Sequence, residues 1–237
     1  MKFDTAGKCR AVIVAAGRSS RMGGGISKQF LPLLGIPAII WTLRAFDDAR
    51  SIEQVVLVCR AEESEKMRDC VGRYEIRKVA AVVPGGNSRQ ESVFAGVRAL
   101  PPGTGYVAVH DGARPLVMPE EIDACVRDAF RTGASALAVP LKNTVKRADS
   151  LGWVCSTPSR DGLWTVQTPQ TFELSLYRKA LAAAQAEEKD YTDDCQLIER
   201  LGAPVHLCRG NYENLKLTTS EDLALAEAIL QKRNGNP

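Results

Sequence analysis

Two cations, Arg21 and Lys28, flank three consecutive glycines at 23–25, shortly after the string Ala15-Ala16-Gly17. Small residues let a polyphosphate come close to backbone N–H groups, and fixed cations neutralise its charge. The chemistry that suits this set is the binding of a triphosphate and the transfer of part of it. Arg21 and Lys28 are therefore the candidate catalytic groups, with Ala15, Ala16 and Gly17 as candidate nucleotide contacts. A Walker loop is excluded, because no Gly-x-x-x-x-Gly-Lys-Ser/Thr string occurs. A dinucleotide fingerprint is excluded too, because Ser19 and Met22 stand where it needs glycine after Gly17.

Three more strings carry groups of the same chemistry. In Pro84-Gly85-Gly86-Asn87-Ser88-Arg89, the glycine pair permits close backbone approach and suits the edge of a flat base, with the Ser92 hydroxyl one helical turn further on. In Val109-His110-Asp111-Gly112-Ala113-Arg114-Pro115, Asp111 suits a hard cation such as Mg²⁺ bridging phosphate oxygens, and Arg114 suits a second anion. In the string from Gly210 to Thr218, Glu213 is a second candidate metal ligand and Lys216 a candidate phosphate contact. Thr192-Asp193-Asp194 reads either as hydroxyl and carboxylate groups for a polyol or as an ordinary helix cap. His110 and His206 both read as structural, which leaves no histidine base.

Elements that would position these groups alternate along the chain. Apolar runs at 11–14, 54–59, 79–83, 106–110, 134–140 and 204–208 read as strands, and helical patterns fill the intervals at 38–46, 62–71, 88–99, 120–131, 174–187 and 220–232. Ser88-Arg89-Gln90-Glu91 is a capping-box string, and Ser220 with Glu221 and Asp222 marks another helix start. The expected fold class is α/β: a Rossmann-like, mostly parallel sheet with helices on both faces. In such sheets ligands bind beyond the carboxyl ends of the strands, where these loops converge. Residues 143–167 break the alternation. Val145, Trp153, Val154 and Trp164 favour extended structure there, so a protruding β-arm that dimerises by burying its tryptophans is expected.

Bulk properties bound the reading. A chain of 237 residues suits one domain, 1–237, and 45% hydrophobic with 25% charged residues excludes a mostly disordered chain. A net charge of +3 with interspersed signs gives no polyanion-coating surface, so nucleic acid is not an expected partner. No apolar run reaches transmembrane length, and the first residues lack a signal-peptide core. Seven singly scattered cysteines without framework spacing favour a reducing compartment, hence the cytoplasm.

Taken together, these strings resemble the 2-C-methyl-D-erythritol 4-phosphate cytidylyltransferases of isoprenoid precursor synthesis. Further strings carry the likeness: Thr144-Val145-Lys146, Arg160-Asp161-Gly162-Leu163-Trp164, Thr168-Pro169-Gln170 and Glu213-Asn214-Leu215-Lys216. They follow family order over nearly the whole chain. The resemblance implies that a polyol phosphate attacks the α-phosphorus of CTP and pyrophosphate leaves. It implies that Arg21 and Lys28 stabilise the transition state, and that Ala15, Ala16, Gly17, Gly85, Gly86, Arg89, Ser92 and Gly112 hold the nucleotide. Asp111, Arg114, Thr144, Arg160, Thr192 and Lys216 would hold the acceptor, with Thr144 and Arg160 reaching the site of a homodimer partner. Asp111 and Glu213 would hold Mg²⁺. Ser27 replaces the family's usual proline before Lys28, which is expected to loosen the loop; Asn143 and Ser19 are the other departures. Ribitol 5-phosphate cytidylyltransferases share the fold and the CTP loops, so that activity stands as the alternative, with a non-catalytic nucleotide-binding protein behind it.

Overall fold

The computed structural model describes residues 8–17, 27–187 and 191–235. Seven strands form the central sheet: β1 (Lys8–Val14), β2 (Ile52–Cys59), β3 (Val79–Pro84), β4 (Thr104–Asp111), β5 (Ala134–Pro140), β6 (Trp164–Glu173) and β7 (His206–Arg209). Their spatial order is β7-β5-β6-β4-β1-β2-β3, all parallel except β6, which runs antiparallel between β4 and β5. The chain winds outward from β1 in both directions. The switch point therefore lies between β1 and β4, where Val14 pairs with Asp111.

Successive residues of β1 point to opposite faces, and each face has its own core. Ala11 and Ile13 join Ile39, Leu43 and Phe46 of α1 (Ala38–Asp48), Met67 of α2 (Ser64–Arg73) and Val126 of α4 (Pro119–Thr132). Val12 joins Val93 and Val97 of α3 (Arg89–Arg98), Tyr177 of α5 (Leu174–Ala186) and Ile198 of α6 (Cys195–Arg200). Each large aliphatic side chain buried in these layers contributes about 1.5–3 kcal/mol. Gly96 lets α3 lie close on the sheet, since a Cβ there would come within 2.4 Å of Val12 Cγ1. The last helix, α7 (Ser220–Arg233), packs with Leu33, Leu116 and Leu217 in a third cluster. Its cap is Thr219, one residue before the expected Ser220, with the Thr219 N–H donating to Asp222 at 2.8 Å.

Two parts differ from the sequence reading. Residues 164–167, expected in the arm, open β6 instead, and that strand continues to Glu173 in the middle of the sheet. It is buried on both faces, and Gln167, Thr168, Gln170 and Thr171 are polar residues among those covered. The arm itself is a short hairpin, Arg147–Ala148 against Val154–Ser156, with Leu151 82% and Trp153 73% exposed. Among the described residues, no helix is long and apolar enough to cross a membrane.

Candidate active site

The ends of β1 and β4 are locked together at the switch point. The Gly112 N–H donates to Val14 O (2.8 Å), the Thr42 hydroxyl to Gly112 O (3.1 Å), and the Ala15 N–H to Val58 O (2.7 Å). Over this seam lies a cleft of about 580 Å³. Ala15, Ala16, Gly17 and Lys28 line it from the β1 side, Gly85, Gly86, Arg89 and Ser92 from the β3 side, and Asp111, Gly112 and Lys216 from the far wall. The sequence analysis had placed these groups on separate loops, and the sheet brings them together. Lys28 Nζ also donates to Leu217 O at 3.2 Å. Arg21 lies outside the described residues.

The glycine pair is shaped from below. The Gly85 N–H donates to Cys59 O (2.8 Å) and the Gly86 N–H to Ser92 Oγ (3.2 Å), while that hydroxyl donates to Ser88 O (2.9 Å). Ser92 is thus an organiser of the loop as well as part of its wall. Ser88 Oγ caps α3 by accepting from the Glu91 N–H at 3.1 Å, and Glu91 reaches past the cap to the Asn87 N–H at 2.7 Å. A Cβ on Gly85 would meet Ser92 Oγ at 2.6 Å and Ala16 Cβ at 2.7 Å. Gly85→Ala is therefore expected to raise the KM for CTP at least tenfold and to leave the KM of the acceptor within twofold, a split that steady-state kinetics with each substrate varied would measure.

Opposite the glycines, charge is concentrated on one carboxylate. Asp111 Oδ1 faces Arg89 Nε at 3.2 Å, and Oδ2 faces Lys216 Nζ at 2.7 Å. Burial alone would raise the Asp111 carboxyl, but the Arg89 and Lys216 charges outweigh it and hold the group well below the usual carboxylate range. Arg89 in turn sits 2.8 Å from Asp194 Oδ2, whose other oxygen accepts from the Tyr177 hydroxyl. Beside them, burial pushes His110 down to about 3, so the ring is neutral; Thr168 Oγ1 lies 3.0 Å from Nδ1, and Arg114 O lies 3.3 Å from Nε2. That is a structural role, as expected.

The remaining sequence candidates are outside the cleft lining, although the Arg114 N–H donates to Asp111 O at 3.0 Å. Arg114 is part-buried and donates to Asn214 O at 2.8 Å. Thr192 is exposed and accepts from Gln196 Nε2 at 2.6 Å. Thr144 and Arg160 are exposed on the arm side, where Arg160 donates to Lys142 O. Glu213 Oε2 accepts from Arg233 at 2.9 and 3.2 Å. Ser27 differs from the expected loosening, being buried with its hydroxyl donating to Glu63 and accepting from Arg60.

Sequence reasoning passed over Arg60, which lines the cleft immediately after β2. The rule that singled out the other loops, proximity to a strand's carboxyl end beside the switch point, applies to it equally. Asp194 was read as part of a cap or a polyol contact. The capping oxygen belongs to Asp193, which accepts from the Gln196 N–H at 3.2 Å, while Asp194 turns inward to Arg89.

Lys28, Arg60, Arg89 and Lys216 around a cleft at the switch point of a doubly wound sheet suit a phosphorylated ligand. Comparison with known proteins narrows it. The family profile described as 2-C-methyl-D-erythritol 4-phosphate cytidylyltransferase matches residues 9–232. The chain is 48% identical over 229 residues to a protein of that name from Pelotomaculum thermopropionicum, covering 96% of each. It is 46% identical over 222 residues to one from Halalkalibacterium halodurans, covering 94% of this chain and 96% of the other. Among solved structures it is similar to a 4-diphosphocytidyl-2C-methyl-D-erythritol synthase from Anaerococcus prevotii, with a TM-score of 0.84 at 30% identity, covering 95% and 99% of the two chains. A Thermus thermophilus 2-C-methyl-D-erythritol 4-phosphate cytidylyltransferase superposes with a TM-score of 0.75 at 31% identity, covering 94% and 98%. This chain belongs to the 2-C-methyl-D-erythritol 4-phosphate cytidylyltransferase family.

Proposed function

We infer that this cleft joins CTP to 2-C-methyl-D-erythritol 4-phosphate, giving 4-diphosphocytidyl-2-C-methyl-D-erythritol and pyrophosphate. The observation that carries the reading is the convergence of Lys28, the Gly85–Gly86 edge and the Asp111–Lys216 pair on one cleft at the switch point. An oxygen of the acceptor's phosphate forms the new bond to the α-phosphorus, and the bond from that phosphorus to the β-phosphate's bridging oxygen breaks. The nucleophile is already ionised near neutral pH, so no general base is called for, in keeping with the neutral, buried His110. What the protein supplies is position and charge. Lys28, with Arg21 by family resemblance, neutralises the α-phosphoryl group as it becomes five-coordinate. Lys216 and Arg114 attract the acceptor's phosphate, while Gly85, Gly86 and Ser92 present the loop that reads cytosine.

Mg²⁺ fits one donor of the cleft, the ionised carboxylate of Asp111, with the nucleotide's own phosphates supplying further oxygens. Among the described residues, no group of three or more His, Cys, Asp or Glu side chains gathers as a protein-only cage, and Glu213 is engaged by Arg233. Bound at Asp111, the cation would offset charge on the triphosphate. We also propose a homodimer in which the exposed Leu151, Trp153 and Val154 are covered by a second copy, with Thr144 and Arg160 close to the partner's acceptor site. Seven unpaired cysteines support a cytoplasmic location.

The test is pyrophosphate release from CTP with Mg²⁺, comparing 2-C-methyl-D-erythritol 4-phosphate with ribitol 5-phosphate. Release with the methylerythritol acceptor at least tenfold faster is the expected result. Faster release with ribitol 5-phosphate would move the protein to the other polyol.

A further inference from the structure

We propose that Glu63 is the positioning residue for Lys28, gripping both residues that flank the lysine and so fixing the path of its side chain into the cleft. The inference rests on the reading that Lys28 acts on the transferred phosphoryl group.

Glu63 is 8% exposed, at the end of the short 3₁₀ turn Ala61–Glu63 that follows β2. A carboxylate buried this far needs partners, and it has them on both oxygens. Oε1 accepts from the Ser27 hydroxyl and from Arg60 Nη2, the latter at 2.5 Å. Oε2 accepts from Gln29 Nε2 at 2.9 Å. Arg60 Nη2 also donates to Ser27 Oγ at 2.6 Å, and Gln29 Nε2 to Ala15 O at 2.7 Å. One carboxylate therefore holds the positions immediately before and after Lys28, and through Gln29 ties them to the end of β1. Burial would raise this carboxyl, but the hydrogen bonds from Arg60 and Ser27 outweigh it and keep it ionised.

The need for such a grip is legible in the chain itself. Glycine carries no side chain with which to fix a neighbouring backbone, so in the string Gly23-Gly24-Gly25-Ile26-Ser27 the side chains of Ser27 and Gln29 are the ones Glu63 can use to hold Lys28. Ser27 has φ −62°, the value a proline ring would impose, and here a side-chain bond does the work such a ring could do. Arg60 Nη2 bonds to Ser27 and Glu63, and Nη1 lies 3.5 Å from Glu62 Oε1, while Nε is buried without a hydrogen-bond partner among the described residues.

The experiment measures turnover, CTP dissociation and melting temperature for Lys28→Ala, Glu63→Gln and Glu63→Gln with Ser27→Pro. We expect Glu63→Gln to lower kcat by ~10²-fold, the cost of a misplacement of about 1 Å, with the CTP dissociation constant changed less than about threefold. Adding Ser27→Pro is expected to restore at least tenfold of the loss, because the ring supplies the φ restraint that the carboxylate no longer secures. An inactive Lys28→Ala beside a Glu63→Gln of wild-type turnover overturns the inference and leaves the Lys28 reading intact. A fully active Lys28→Ala overturns both. A Glu63→Gln defect that tracks a lower melting temperature, with no recovery from Ser27→Pro, makes Glu63 a fold residue only and overturns the proposal. If Glu63→Gln does not fold, Ser27→Ala and Gln29→Met each release one grip, and losses of ~10-fold in kcat are expected from either; wild-type turnover in both overturns it.

Discussion

Lys28→Ala is expected to lower kcat by ~10²–10³-fold while the protein remains folded. The ammonium reaches the cleft from the turn after the Gly-rich loop and makes a 3.2 Å bond to Leu217 O. Losing that bond costs about 0.5–1.5 kcal/mol, a few degrees of melting temperature at most in a chain of this size. In the proposed reaction the loss of the ammonium charge is different in kind, because a cation beside the α-phosphorus gains value as negative charge gathers on the equatorial oxygens. Lys28→Arg should recover only part of the rate, since a planar guanidinium cannot take the place of a compact ammonium at one point. Single-turnover formation of pyrophosphate, followed with melting curves on the same preparations, measures both effects. A rate within threefold of wild type for Lys28→Ala would remove this residue from the transition-state assignment.

The elements that delivered Lys28 to the cleft were the ones most readable in the chain. Residues 11–14 and 55–59 are continuous apolar runs because a parallel strand covered on both faces has no wet side to mark with polar residues. The same logic hides β6. Gln167, Thr168 and Gln170 are polar and buried, and each is bonded inside: Gln170 Oε1 accepts from the Asp194 and Cys195 N–H groups, Gln167 Nε2 donates to Asn211 O, and Thr168 Oγ1 accepts from the Asp111 N–H. Hydropathy registers the polarity and misses the partners, which are supplied by residues far away in sequence, so a strand at the centre of the sheet reads as the root of an arm. The site shows a similar division. Local strings located Lys28, Gly85, Gly86 and Asp111, because small residues and fixed charges after a strand are informative on their own. The pairing of Glu213 with Arg233, twenty residues on in α7, has no local signature and appears only in the fold. Asp194 needed the tertiary contact to Arg89 before its side chain could be told apart from that of its neighbour Asp193.

That contact supports the largest stability effect expected in the molecule. Tyr177, Asp194, Arg89, Asp111 and Lys216 form one chain of charge and hydrogen bonding from α5 to the cleft wall. Asp194 is 3% exposed in its side chain, and its Oδ2 has an ion-pair neighbour in Arg89 but no hydrogen-bond donor among the described residues. Removing Asp194 takes one of two carboxylates from Arg89 and the acceptor from the Tyr177 hydroxyl; a buried charge left wholly unpaired costs about 3–5 kcal/mol, and the pairing of Arg89 with Asp111 keeps the cost below that. Asp194→Ala is therefore expected to lower the melting temperature by about 4–10 °C, on the scale of 2–4 °C per kcal/mol for a domain of this length. Asp194→Asn keeps an acceptor for the Tyr177 hydroxyl and should fall between the two. Arg89 would then have Asp111 as its remaining carboxylate, drawing that group away from Lys216 and lowering turnover as well as stability. A double-mutant cycle with Tyr177→Phe separates a connected network from two independent contacts. Coupling of about 0.5–3 kcal/mol is expected if the hydroxyl and the guanidinium share Asp194 as one unit. Additive losses, or an Asp194→Ala variant melting within 2 °C of wild type, would mean that the cleft wall is held by Asp111 and Lys216 without support from α5.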